Sequence, residues 1–392
     1  MNHSLDEVAG RAAVAPLASR RESAAVRAWP AWLFAALVLG AAGYAFSPRS
    51  IPPFPPSVLH TDRLLVTGLA RSGSRILATA ELGHILVADR PHGPWREARV
   101  EPERGSTLTR IAFVGPRLAL AVGQDSWILR STDDGQSWRE VHFDPARSEP
   151  LLGVAGPYDG KLYAFGSFGQ MLVSSDEGQT WTEAPLDILP VAGTPPAKPQ
   201  PADADNPFAA FSANSGGNDL AGRHLYAMTR AADGALWLVG ERGLLLRSDD
   251  GGARWQAQPT IYQGSFYGVL ALPDRTLVVF GMRGHAYYSR DLGKSWRESE
   301  VPVPDSLFGG AVDARGRPIL VGDDNSVLRS DDGGAHFFLA AQAAHHGLVA
   351  GLAAVLPLPD GEALTAGDEG IAVRKLADPS AALVATPTGA QP

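Results

Sequence analysis

Short apolar runs and polar turns alternate along most of this chain in a fixed order. Each unit has an apolar run, a turn, a second apolar run that ends in glycine, a third run, a polar turn and a short final strand. The second run ends at Gly123, Gly166, Gly240, Gly281, Gly322 and Gly367, with Ala80 in the first unit. Four-stranded units that repeat about every 40 residues are typical of propeller blades. The pattern predicts an all-β, seven-bladed β-propeller over residues 57–376.

The polar turn between the third and fourth strands has a recurrent sequence. It reads Ser, one free residue, Asp, one free residue, Gly, two residues and an aromatic residue, as in residues 289–296. An aspartate side chain accepts hydrogen bonds from backbone N–H groups just ahead of it, and glycine allows the positive φ of a tight turn. We interpret these aspartates as structural hairpin clamps. They are Asp133, Asp176, Asp250, Asp291 and Asp332.

An apolar, uncharged segment at residues 29–46 precedes the repeats and is close to the shortest length that spans a bilayer. Arginines lie before it, which predicts a cytoplasmic disordered tail at residues 1–28 and a propeller on the extracytoplasmic side of a bacterial inner membrane. A Pro-rich spacer follows at residues 47–56. A transmembrane signal anchor and a cleaved signal peptide both fit, and the long tail before the span favours the anchor.

Three further segments depart from the repeat. A Pro-rich insertion at residues 186–223 separates blades three and four, and its composition cannot form a sheet. Residues 377–392 are predicted to be a disordered tail. The seventh unit has no Asp turn and therefore lacks a fourth strand. We predict that residues 54–60 supply this strand and close the ring, with residues 381–385 as the alternative donor.

Composition narrows the function. The formal net charge of −8 argues against a nucleic-acid partner. The chain has no cysteine, which excludes disulfides, thiol nucleophiles and cysteine metal sites. The adjacent pair His345 and His346 would point to opposite sides of an extended segment. Neither a metal nor another cofactor is therefore predicted.

Strand parity assigns the turns of each blade to two faces. The Asp turns share a face with the turns between strands one and two, so the turns between strands two and three lie on the opposite face with the blade-to-blade links. We predict a binding surface there, at the mouth of the central channel, with acids on blades six, seven, one and two and arginines on blades four and five. The alternative is that these turns are polar only because they are turns. The candidates are Glu81, Asp125, Arg242, Arg283, Asp323, Asp324, Asp368 and Glu369.

The Asp turn resembles the Asp-box, or bacterial neuraminidase repeat, of sialidase-like propellers. Sialidases carry an Arg-Ile-Pro motif before the first Asp-box. Here Leu77 follows Arg75-Ile76, and Ala112 follows Arg110-Ile111, so the resemblance does not extend to that motif. A glycoside hydrolase or a glycan-binding propeller remains the alternative function, because two carboxylates at the channel mouth could suffice.

The units of residues 51–376 also resemble the photosystem II assembly and stability factor family. The resemblance rests on turns such as Gly240-Glu241-Arg242-Gly243 and Gly281-Met282-Arg283-Gly284 that precede Ser-Asp-Asp-Gly-Gly and its variants. It implies a non-enzymatic scaffold that assembles or stabilises a membrane protein complex. The partner would be an integral membrane protein, with Arg242 and Arg283 as binding candidates by turn position.

Overall fold

The computed structural model describes residues 24–46, 61, 63–191, 220, 222–342 and 350–377. The chain divides into two compact units, Met1–Val58 and Leu59–Pro392. The first contains the α-helix α1 (Ala24–Ala45), which begins inside the stretch predicted to be disordered. Within the described residues, no helix combines the length and the hydropathy that a membrane crossing requires. The predicted transmembrane span at residues 29–46 is therefore not supported, and Pro30 lies inside the helix.

The second unit is a seven-bladed β-propeller, which confirms the predicted fold. Each blade is an antiparallel sheet whose first strand lines the central channel. Blade one contains β1 (Val66–Ser72), β2 (Arg75–Ala80), β3 (Ile85–Ala88) and β4 (Arg96–Glu97). Blade two contains β6 (Leu108–Gly115), β7 (Leu118–Gly123), β8 (Ile128–Ser131) and β9 (Ser137–His142), with β5 (Arg99–Glu101) added at its outer edge. Blade three contains β10 (Leu151–Tyr158), β11 (Lys161–Gly166), β12 (Met171–Ser174) and β13 (Thr182–Glu183).

The remaining blades repeat this order. Blade four contains β15 (Leu225–Arg230), β16 (Leu236–Gly240), β17 (Leu245–Ser248) and β18 (Trp255–Ala257), with β14 (Ile188–Leu189) at its outer edge. Blade five contains β19 (Phe266–Ala271), β20 (Leu277–Gly281), β21 (Ala286–Ser289) and β22 (Arg297–Glu298). Blade six contains β23 (Leu307–Val312), β24 (Pro318–Gly322), β25 (Ser326–Arg329) and β26 (Phe338–Gln342). Blade seven contains β27 (Leu352–Pro357), β28 (Glu362–Gly367) and β29 (Gly370–Lys375).

The links between blades cover the outer sheet edges. Strand β5 leaves blade one and pairs in parallel with β9 of blade two, and β14 pairs in the same way with β18 of blade four. Strand β14 lies in the insertion at residues 186–223, so the expectation that this segment forms no sheet is wrong at Ile188–Leu189, where apolar residues precede the proline-rich part. Glu300 and His336 form a shorter parallel bridge at the edge of blade six. An uncovered edge strand presents unpaired N–H and C=O groups that invite aggregation. The links form hydrogen bonds with part of the N–H and C=O groups of that edge, and they join neighbouring blades.

The hydrophobic core consists of clusters that each lie between two neighbouring blades. Trp127 and Trp138 of blade two pack with Leu77 and Ile85 of blade one, and all four side chains are buried. The ring closes through the same kind of contact, because Ala366 of blade seven packs with Val66, Ala78 and Leu86 of blade one. A single four-stranded sheet could not bury both of its faces, so packing of successive sheets supplies most of the apolar burial.

The last strand of blade seven lies outside the described residues. The described part of this blade has three strands, β27 to β29. Beside them, the Thr61 carbonyl accepts a hydrogen bond of 3.2 Å from the Ile371 N–H. Residues 54–60 and 381–385, the two predicted donors, are both outside the described residues, as is most of the insertion at residues 186–223. The identity of the closing strand stays a prediction.

Each Asp turn is a closed hydrogen-bonded loop. In blade five the Asp291 carboxylate accepts bonds from the Ser289 hydroxyl at 2.7 Å, the Ser295 N–H at 2.9 Å and the Ser295 hydroxyl at 2.6 Å. These bonds lower the pKa of Asp291 to about 2, with the Ser295 hydroxyl as the largest cause. The other four clamps make the corresponding bonds to the serine two residues before and the N–H four residues after. They are Asp133, Asp176, Asp250 and Asp332.

The glycine of the Asp turn also joins neighbouring blades. Gly293 has a φ of +86°, and a Cβ there would lie 2.1 Å from the Trp237 ring of blade four. Gly135 stands in the same relation to Leu77 of blade one, at 2.3 Å. The turn therefore needs glycine for two reasons, its left-handed backbone and its contact with the preceding blade.

Candidate binding site at the channel mouth

Side-chain bonds identify the two faces of the ring. On one face, Arg247 of blade four binds Asp233 in a turn between strands one and two at 2.9 Å, and Arg317 of blade six links Asp313 to Asp331 beside the Asp turn. On the other face, Gln170 of blade three donates to the Ser126 hydroxyl of blade two at 2.8 Å. The second face carries the turns between strands two and three, and we call it the mouth face.

The backbone of every mouth turn is held by the same hydrogen bond. The first N–H after the second strand donates to the carbonyl just before the inner strand, as Asp323 does to Ser306 at 3.0 Å. The glycine that ends the second strand, such as Gly322, lies against this carbonyl, and a Cβ would approach it to 2.0 Å. The recurrent glycine of the sequence is thereby explained. The equivalent bonds join Glu81 to Leu65, Gln124 to Thr107, Ser167 to Pro150, Glu241 to His224, Met282 to Ser265 and Asp368 to Gly351.

The mouth turns present different side chains from one backbone position. In four blades the middle residue of a single helical turn has a positive φ, between 51° and 57°. The side chains at this position project outward: Leu82 is 62% exposed, Phe168 is 65% exposed and the Arg242 side chain is 66% exposed. Arg283 is also exposed. We call the ring of turns between strands two and three the rim. Its backbone is the same in these blades, whereas the side chains that it presents differ.

The candidate acids of blades six and seven come together. Asp368 accepts a bond from the Gly351 N–H at 2.9 Å, and Glu369 accepts one from the Asn325 side chain at 3.2 Å. Burial raises the pKa of Asp323, and the carboxylates of Asp305, Asp368 and Asp324 add to the rise. Asp324 has a φ of +58°. We call Asp323, Asp324, Asp368 and Glu369 the acidic arc.

Of the other candidates, Glu81 and Asp125 are held within their own blades, and Arg283 contacts the next blade. Glu81 accepts a bond from the Leu65 N–H at 3.2 Å, and Asp125 accepts one from the Ser106 hydroxyl at 2.6 Å. Arg242 lies 3.6 Å from Glu241, its neighbour in the chain. Arg283 forms no ion pair with any described residue, and its N–H donates to the Ser306 hydroxyl at 3.3 Å. Among the described residues, neither arginine forms an ion pair with the acidic arc.

The residues that line the channel wall were not predicted from the sequence. Each inner strand has a register irregularity after its first residue, so the second residue leaves the ladder and lines the channel. These seven positions are Thr67, Thr109, Leu152, Tyr226, Tyr267, Phe308 and Ala353, and all of them border one cavity of about 310 Å³. A residue followed by glycine early in the inner strand, as in Tyr267-Gly268, is the signal that could have revealed them.

Aromatic side chains make this wall asymmetric. The ring centroids of Tyr226 and Tyr267 are 5.1 Å apart, and those of Tyr267 and Phe308 are 5.3 Å apart. On the other side of Tyr226, His224 at 6.3 Å connects the series to Phe168, which is 4.8 Å further. This aromatic arc leads from the rim of blade three into the channel at blades four to six. The opposite wall carries the smaller side chains Thr67, Thr109 and Ala353.

The fold is shared with YCF48. The structure of YCF48, a photosystem II assembly factor, bound to D1 peptide has a TM-score of 0.58 and 16% sequence identity, over 82% of this chain and 94% of that chain. YCF48 from Cyanidioschyzon merolae has a TM-score of 0.56 and 15% identity, over 81% and 96%. A streptogramin B lyase has a TM-score of 0.59 and 13% identity, over 82% and 96%.

These similarities show the architecture alone, because the identities are low and both a binding protein and an enzyme are among them. No protein-family model matches the chain, and no curated protein matches it either. The resemblance to the photosystem II assembly factors is therefore supported at the level of the propeller fold.

Proposed function

We propose that this propeller is a non-catalytic scaffold that holds an extended segment of a membrane protein across the mouth face. The observation that carries the proposal is the rim. In four blades the same backbone position, with a positive φ, exposes a different side chain to solvent: Leu82, Phe168, Arg242 and Arg283. Rigid presentation of exposed, chemically different side chains suits binding, because little conformational freedom is lost when a partner docks. YCF48 bound to D1 peptide is a precedent for peptide binding by a propeller of this architecture.

The charges of the rim indicate which charges the bound segment carries at its two ends. The acidic arc of Asp323, Asp368 and Glu369 favours a basic residue at one end of the segment, and Arg242 and Arg283 favour an acidic residue at the other. The exposed Phe168 and Leu82 offer apolar contacts between them. An assembly or stability factor for a membrane protein complex would use such a surface to retain a client segment.

The first test selects peptides and then disrupts the rim. A displayed library of random peptides is panned on the immobilised propeller, and enriched peptides are measured by fluorescence anisotropy. We expect Asp323→Lys with Asp368→Lys to weaken binding by about 10-fold or more, because two attractive charges become repulsive. The control is Asp360→Lys, a single charge reversal in an exposed turn of the opposite face. Equal affinity of the rim variant and the wild type would refute the proposed surface.

The second test concerns the client. An integral membrane protein should co-purify with the propeller from a detergent extract, and the rim variant should lose it while Asp360→Lys retains it. Retention by both variants would show that the mouth face is not the client surface. The extracytoplasmic location predicted from the sequence is a separate prediction, which protease accessibility of the propeller in intact spheroplasts would test.

A glycoside hydrolase is the second candidate function. Asp323 and Asp368 both lie beside Gly351, and the raised pKa of Asp323 is a property that a general acid needs. Turnover of aryl glycosides by the wild type, abolished in Asp323→Asn, would favour this function. No turnover across a panel of α- and β-linked aryl glycosides would exclude it for those substrates.

A further inference from the structure

One charged side chain lies in the wall of the central channel. Arg110 is the third residue of β6 and is half-buried beside the cavity that the aromatic arc borders. It also borders the adjoining cavity of about 160 Å³, which shares Tyr226, Tyr267 and Phe308. At the equivalent position the other inner strands have a residue with no side chain beyond Cβ. These residues are Gly68, Gly153, Ala227, Gly268, Gly309 and Ala354.

Arg110 has no partner among the described residues, although most internal arginines of this propeller have one. Arg317, for example, binds Asp313 at 2.7 Å and Asp331 at 3.1 Å. Burial lowers the pKa of Arg110, but arginine remains charged at neutral pH. A half-buried guanidinium without a counter-charge is costly, and its planar fork of N–H donors matches a carboxylate or a phosphate.

The surrounding wall adds apolar contacts and two further donors. Tyr226 and Tyr267 make no side-chain hydrogen bond to any described residue. Burial raises the pKa of Tyr226 to about 12, and burial together with Asp323 raises the pKa of Tyr267. Both hydroxyls are therefore protonated at neutral pH and can donate. Phe308 extends the aromatic surface, and the cavity of about 310 Å³ lies at the lower end of the range for small-molecule sites.

The acids of the rim restrict the charge of the ligand. Asp323 lies close enough to Tyr267 to raise its pKa, so the channel entrance on that side is negative. A doubly charged phosphate would meet more repulsion there than a singly charged carboxylate. The chain also carries a formal net charge of −8. The electrostatics thus favour a monoanion with an aromatic or apolar body.

We propose that the channel binds a carboxylate attached to an aromatic or apolar group, with the carboxylate on Arg110 and the apolar group against Tyr226, Tyr267 and Phe308. This site goes beyond the proposed function, because its contacts to the ligand come from the channel wall, and the rim acids only restrict the charge of the ligand. The occupant is a free aromatic acid or the C-terminal residue of a peptide, which present the same chemistry.

The test uses 3-phenylpropionate as the probe and isothermal titration calorimetry on the propeller. The acid should bind the wild type. We expect 3-phenylpropanamide and propionate to bind at least about 10-fold more weakly, because the amide lacks the carboxylate and propionate lacks the aromatic ring. Arg110→Met should lose about 10-fold or more in affinity for the acid, and Arg110→Lys should recover part of it through its charge. Arg275→Met is the control, since it removes the same charge from an exposed turn.

Three results would overturn the proposal: no binding of any acid to the wild type, equal binding of the acid and the amide, or full binding by Arg110→Met. Folding of Arg110→Met is checked by its melting temperature, which should equal or exceed that of the wild type because an unpaired charge is removed. A peptide ending in phenylalanine then identifies the source. Competition by the free-acid peptide and not by its C-terminal amide supports the site with a peptide terminus as occupant, whereas competition by neither supports it with a free acid.

Discussion

The two faces of this propeller use repetition differently. On the Asp-turn face, side chains repeat: the serine, the aspartate, the glycine and the aromatic residue recur because each closes the turn or packs on the preceding blade. On the mouth face, only the backbone repeats: a common hydrogen bond holds each turn, and the side chain at its centre changes from Leu82 to Phe168, Arg242 and Arg283.

This difference assigns stability to the Asp-turn face and binding to the mouth face. The polar atoms of the Asp-turn residues already form hydrogen bonds within the turn, so few of them are free to bind a ligand. The central rim residues leave most of their side chain in solvent, so a partner can use it. Substitutions on the first face should therefore change stability, and substitutions on the second should change binding.

The largest effect is expected from Gly293→Ala on the Asp-turn face. The new Cβ would lie 2.1 Å from the buried Trp237 ring, and the backbone has a φ of +86°. We expect a loss of about 3 kcal/mol or more in the free energy of unfolding, measured by urea titration. The control is Gly251→Ala, which has a φ of +67° with nothing within 4 Å and should cost only about 1 to 2 kcal/mol. Equal losses would show that contact with the preceding blade does not matter.

Neutralising one aspartate on each face should have opposite effects. Asp291→Asn weakens bonds that hold the turn, so we expect a loss of about 1 to 3 kcal/mol at neutral pH. Asp323→Asn removes a charge that burial and three neighbouring carboxylates disfavour, so the melting temperature should rise. Asp360→Asn, in an exposed turn, should leave it unchanged. A lower melting temperature for Asp323→Asn would contradict the inference that the charge on Asp323 is destabilising.

The seven-bladed fold was predictable because side chains that repeat leave a sequence period. The second-strand glycine, which lies against a carbonyl as Gly322 does, recurs in six blades, and the Asp turn, held as at Asp291, recurs in five. The channel site was missed because Arg110 and Tyr226 acquire their role only when the ring closes and distant strands meet. The predicted membrane span is a different case: the segment carries no charge, but no described helix combines the length and the hydropathy that a membrane crossing requires.

Acid titration should reveal the clamps as a group. The pKa values of Asp176 and Asp291 are about 2 in the folded protein, against an ordinary value of 3.8, mainly because of bonds from Thr180 and Ser295. A lowered folded pKa contributes stability above the unfolded pKa, and this contribution is lost as pH falls through the folded value. Unfolding midpoints should therefore decline from about pH 4 to about pH 2, and less steeply in Asp176→Asn with Asp291→Asn. Parallel curves for the two proteins would argue against the clamps.

The smallest stability effect is expected at the rim, from Arg283→Gly. Arg283 has a φ of +57°, which costs a non-glycine residue about 1 kcal/mol. Glycine removes that strain but gives the unfolded chain more freedom, so the two terms nearly cancel and stability should change by less than about 1 kcal/mol. The same substitution should weaken a peptide selected on the wild-type rim, because the arginine side chain is exposed and lacks an ion-pair partner among the described residues. Urea titration and fluorescence anisotropy on the same variant separate the two quantities. A large loss of stability with unchanged peptide affinity would reverse the division of roles between the faces.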